Sequence, residues 1–144
     1  MKKNSFYLFA MMMAVVLCVG FTSCSSDDDD EGNPSLVGTW KFVSYEMHYY
    51  GGKVEVVEMN EYEPFYWHFN ADGTMDGYES YRGEFDVAHF TYKYEGKTLI
   101  VDEVEYEVIS LTKTELKIKR NESDRYTIET HVKVSDSVIP DEVR

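Results

Sequence analysis

Thiols, histidines, grouped carboxylates and aromatic rings are the side chains here that could do chemistry. The two cysteines are Cys18 and Cys24. Cys18 lies in the uncharged run 6–21, "FYLFAMMMAVVLCVGF", and Cys24 in "FTSCSSDDDDEG" (21–32), where that run meets four aspartates. His48, His68, His89 and His131 lie far apart and follow no metal-ligand spacing. Glu103, Glu105 and Glu107 look like paired carboxylates. On a strand they share one face, opposite Val104, Tyr106 and Val108, and read as a solvent face. Asn70, Asp72 and Asp76 carry part of a calcium-loop pattern. Gly73 comes too early for such a loop and the bidentate acid is missing, so "NADG" (70–73) reads as a turn. No nucleophile elbow or phosphate-binding glycine loop occurs. The residues predict no enzyme, no metal and no cofactor.

Two lysines and then a short apolar segment have the layout of a secretory signal. Sixteen apolar residues fall short of the roughly 18–20 that span a bilayer as a helix. Thr22-Ser23-Cys24, behind Phe21, resembles a bacterial lipoprotein box. That resemblance implies cleavage before Cys24 and lipidation of its sulfur. Cys18 would leave with the signal, and one remaining cysteine forms no intramolecular disulfide. Acylation would also protect that thiol from oxidation. The acidic run 27–31 reads as a solvated spacer. It also resembles a signal, used by one group of Gram-negative bacteria, for display on the outer leaflet of the outer membrane. Multiple acyl chains would hold the protein there essentially permanently. The expected localisation is therefore the outer membrane, lipid-anchored, at the cell surface.

The chain of 144 residues has a formal charge of −13, with 14 basic and 27 acidic residues. Removing 1–23 takes Lys2 and Lys3 and no acid, leaving 12 basic residues and a charge of −15. Nucleic acid needs a basic footprint and is excluded as a partner. Docking on anionic lipid by charge is excluded for the same reason. Residues 24–34 read as lipidated cysteine and linker, 35–134 as one domain with a single core, and 135–144 as a tail. A monomer is expected.

Alternation of apolar and polar residues dominates 35–134. "GTWKFVSYEMHYY" (38–50) predicts a long strand. Trp40 and Phe42 share one parity, and Val43, Tyr45, Met47 and Tyr49 the other; a bulge near Val43-Ser44 would bring both sets to one side. Gly51-Gly52 predicts a hairpin turn. Strands follow over 53–59 and 64–70, where Phe65, Trp67 and Phe69 share a face. The polar stretch 74–82 is expected at an edge. Further strands are predicted over 89–95, 98–102, 104–111, 115–120 and 126–134, the last with Ile128, Thr130, Val132 and Val134 inward. Eight or nine short strands in sequential hairpins predict an all-β, antiparallel up-and-down sheet. It can bury one face by closing into a barrel of about eight strands or by forming a sandwich.

"LVGTW" (36–40), "FNADGT" (69–74), "YKYEGKTLIV" (92–101) and "VISLTKTELKIK" (108–119) resemble the compact lipocalin-like domains of bacterial surface lipoproteins, over residues 36–134. The resemblance implies a barrel whose base is closed by Trp40, with Gly38 allowing close backbone approach and Arg120 stacking on the tryptophan. The family's Thr-Asp-Tyr turn and its long C-terminal helix are absent. It also implies binding of a small apolar or amphipathic ligand. Trp40, Phe42, Trp67, Phe69, Tyr92, Tyr94 and Tyr106 are the expected lining, unless the same rings fill the interior. Tyr92, Tyr94 and Tyr106 are placed near a mouth. A protein- or glycan-interaction module, presenting Tyr49, Tyr50, Tyr62 and Tyr66, and a ligand-free envelope lipoprotein are the alternatives.

Overall fold

The computed structural model describes residues 34–144. Nine strands follow in order: β1 (Gly38–Tyr49), β2 (Val54–Glu58), β3 (Phe65–Phe69), β4 (Thr74–Tyr81), β5 (Glu84–Glu95), β6 (Thr98–Val101), β7 (Val104–Leu111), β8 (Glu115–Asn121) and β9 (Arg125–Val134). Every pairing is antiparallel. One edge of β1 runs along β9 from Thr39 to Tyr49 and closes the sheet. Its other edge is shared: β3 takes Gly38 to Lys41 and β2 takes Ser44 to His48. β2 and β3 therefore act as one interrupted strand, with residues 59–64 looped out between them. The result is a closed eight-strand barrel.

The expected bulge is present: the β1–β9 register shifts between Phe42 and Ser44. The extra residue restores Tyr45, Met47 and Tyr49 to the face that carries Trp40 and Phe42, opposite Glu129, Thr127 and Arg125 of β9. This register reverses the expectation for β9. His131 and Thr127 are buried, whereas Ile128 and Val132 are only half-buried on the outside. Alternation of apolar residues misled because β9 places its polar set inward.

Strand lengths set the shape. The closed end holds the turns at 70–73, 96–97 and 112–114, and the chain enters and leaves there; the open end holds those at 50–53, 82–83, 102–103 and 122–124. β4 pairs with β3 only as far as Glu79 opposite Phe65, and β6 meets β5 only from Tyr92 down. Above those levels the far edges of β2 and β5 have no ladder partner.

The lower half is packed solid by Trp40, Phe69, Met75, Leu99, Leu116 and Ile118, each at most 1% exposed. Gly77 lies among them, where a Cβ would press on the Phe90 ring at 3.1 Å. β4, expected at an edge, is instead paired on both sides. Its outer face is covered too. Ile139 packs on Tyr66 and Tyr78, with Phe85, Val87 and Val143 around them. Residues 135–144 are thus part of the packing rather than a free tail; they open with a 3-10 turn, Asp136–Val138, capped by Ser135.

Candidate functional site

Trp40 lies fully buried at the base, its indole N–H donating to the Leu36 carbonyl at 2.7 Å. The cation on its ring is Lys133, with Nζ 4.4 Å from the centroid. Arg120 does not reach it: that residue lies near the open end, Nη2 2.9 Å from Glu122 Oε1. Strand register decides this, since Lys133 stands opposite Trp40 and Arg120 opposite Thr127. Lys133 also donates to the Val37 carbonyl, and burial lowers its pKa. Gly38 sits beneath at φ +114, and a Cβ there would lie 2.8 Å from Lys133 Nζ.

The aromatic residues expected to line a site separate into two groups. Trp40 and Phe69 belong to the filled base. Tyr92 packs edge-on against Phe69, 4.9 Å between centroids, and its hydroxyl donates to the Asn70 carbonyl at 2.7 Å. Tyr92 is therefore a strut of the closed end rather than a mouth residue. Tyr94 is one rung lower, opposite Leu99. Both also line an outer surface cleft with Leu36 and Val37.

Phe42, Trp67 and Tyr106 meet higher up. Trp67 stacks on His131 at 4.8 Å, and Phe42 covers the other side of that imidazole at 4.9 Å. Tyr106 and Phe65 approach Trp67 edge-on at 6.0 and 6.4 Å. Tyr45 stacks on Phe42 at 6.1 Å. Burial raises the Tyr106 pKa, with Glu129 adding to the effect. These rings form a floor midway up the barrel.

The wall above the floor is polar on one side. On β9, His131, Glu129, Thr127 and Arg125 point inward in succession. His131 is 1% and Glu129 14% exposed, with His131 Nε2 3.3 Å from Glu129 Oε2. Nδ1 of His131 and Nε of Arg120 are buried and have no hydrogen-bond partner among the described residues. Glu122 bridges both guanidiniums, Arg120 at 2.9 Å and Arg125 at 2.7 Å. The Tyr49 hydroxyl donates to Glu55 at 3.3 Å, and Arg125 lies over the Tyr49 ring. Across the barrel, Glu79 and Asp86 pair on the inner face of β4–β5 yet are exposed, so the interior is open at that wall.

His131 and Glu129 are site residues that alternation did not single out, whereas Phe65 was grouped with Trp67 and Tyr45 with Phe42 through the bulge without being expected in the lining. Only the bulge register, carried from β1 to β9, would have found His131 and Glu129. Outside the barrel the Thr39 hydroxyl donates to Asp136 Oδ1 at 2.6 Å and lies 2.7 Å from His68 Nδ1, which must donate to it. The Thr39 hydrogen bond lowers the Asp136 pKa. Thr39 is fully buried, so this trio pins the C-terminal segment and offers no nucleophile. Among the described residues no group of three or more His, Cys, Asp or Glu could hold a metal, and no helix is long and apolar enough to cross a membrane. Cys24 lies outside the described residues.

A family model described as a lipocalin-like domain matches residues 36–118. No curated protein matches the chain. Among solved structures, an odorant-binding protein from bovine nasal mucosa is similar at 18% identity and a TM-score of 0.43, with 81% of each chain covered.

Proposed function

Because the chain belongs to the lipocalin-like domain family, we propose that it binds a small apolar or amphipathic molecule in the upper half of its barrel. The supporting observation is the division of the interior. Below the His131 level the core is full, and above the floor of Trp67 and Tyr106 the rings of Phe42, Tyr45 and Phe65 are only half-buried while Glu79, Asp86 and Ala88 on the inner face of β4–β5 are exposed. Apolar surfaces with a few polar groups at their margin suit such a ligand.

The sequence signals add a location. The protein is a lipoprotein, tethered through acyl chains on Cys24 and displayed at the surface of the outer membrane. Tyr50, 65% exposed, lies in the open-end turn 50–53 and Tyr81, 53% exposed, beside the turn 82–83, while Tyr62, 89% exposed, is on the loop 59–64. They favour a second reading, a contact face for a glycan or protein. Tyr66 plays no part in it, being buried under Ile139, and Tyr49 is held by Glu55.

Tryptophan fluorescence tests the first reading. Fatty acids, sterols, tetrapyrroles and aliphatic amines are titrated into the full chain and into a Trp67→Phe variant that keeps Trp40. A bound ligand is expected to perturb emission in the parent and much less in the variant. No response to any class overturns the reading.

A further inference from the structure

We infer that the ligand carries a positive charge, as a protonated amine on an apolar body, and that Glu129 receives it. This rests on the barrel being a binder. Five carboxylates face or rim the upper interior: Glu55 and Glu129 through their pairing with inward residues of β1, Glu79 and Asp86 on β4–β5, and Glu122 at the end of β8. The cations among them are Arg120, Arg125 and Lys53, and at the β4–β5 turn Arg82 and Glu84 offset one another in charge. Glu122 holds Arg120 and Arg125, and Glu55 pairs with Lys53. The inward residues of β6 and β7, Leu99, Val101, Tyr106 and Val108, bring no charge. The chamber is therefore net negative, and an anionic head would meet repulsion even beside the unpaired Arg120 Nε–H.

Glu129 is the deepest of these carboxylates. Its one hydrogen-bond partner is His131 Nε2, at a long 3.3 Å, and Arg120, already held by Glu122, is near enough to feel its charge. Rings surround it: Tyr45 stands directly opposite on β1, Tyr106 is near enough to feel its charge, and Trp67 lies on the far side of the imidazole. A carboxylate among aromatic faces favours a cation through both its charge and the ring quadrupoles. His131 Nε2 occupies only one side of the Glu129 carboxylate, and an ammonium head can donate to the remaining oxygen lone pairs where a carboxylate cannot.

Decylammonium, decanol and decanoate share one chain and differ in the head, so calorimetric titration of the full chain with each separates the terms. Decylammonium is expected to bind tightest, by about tenfold over decanol, with decanoate weakest. Glu129→Gln is expected to remove the preference for the ammonium while leaving decanol binding, which also reports that the barrel is folded. A double variant, Glu79→Gln with Asp86→Asn, alters exposed wall residues outside the core and is expected to weaken decylammonium less. Decanol or decanoate binding as tightly as decylammonium, or an unchanged preference in Glu129→Gln, overturns the inference and leaves the binder intact. Binding of none of the three overturns both.

Discussion

Lys133 holds the base of the barrel by two contacts at once, its charge over the Trp40 ring and its ammonium on the Val37 carbonyl. Burial opposes the charge, as the lowered pKa records, so the two contacts must outweigh that cost. Lys133→Ala is expected to lose about 2 kcal/mol of stability, read as a lower urea midpoint. Arg120→Ala is expected to cost about 0–1 kcal/mol, because its half-exposed pair with Glu122 is largely screened. At this scale the sequence was readable where a residue type has one physical use: the Gly38–Trp40 pair and the "NADG" turn. It was unreadable where the choice depended on cross-strand register, which is why Arg120 stood in for Lys133 and His131 went unseen.

At the scale of elements, two devices give the barrel its asymmetry. The bulge at Phe42/Ser44 lets β1 present aromatic residues inward along its whole length, and it was legible as a change of parity. The C-terminal segment was not, since Pro140 and its charged neighbours break any alternation. Its importance rests on one side chain, Ile139, 1% exposed against Tyr66 and Tyr78. Ile139→Ala is expected to cost about 2–4 kcal/mol, measured by denaturant unfolding. β5 also runs longer than alternation suggested, from Glu84 rather than residue 89. Its upper rungs point small or charged residues inward, Ala88 and Asp86, and these carry no apolar signal.

For the molecule as a whole, the proposed anchor and the proposed chamber belong to separate parts of the chain. Nine residues, 25–33, separate Cys24 from the first described residue, Pro34, and the ten steps between them span at most about 35 Å when extended. Cys24→Ser is expected to move the protein from the membrane fraction to the soluble fraction without changing ligand affinity. Retention in the membrane would overturn the lipid tether, and a change in affinity would overturn the independence of anchor and chamber. Barrel class was legible from strand count and hairpin spacing. Whether the interior was full was not, because the answer is different below and above His131.

The β1–β9 seam has a consequence in time. It joins residues more than 75 positions apart, such as Tyr49 with Arg125, while every other pairing joins consecutive strands apart from β1–β3, whose partners are 25 to 31 positions apart. Local hairpins can form as soon as both their strands exist, but the seam must wait for the last strand and bear the entropy of closing the longest loop. Until then Trp40 lacks Lys133 and Trp67 lacks His131. A chain halted before β9 would keep its hairpins and have no base, so folding is gated by arrival of the C-terminus.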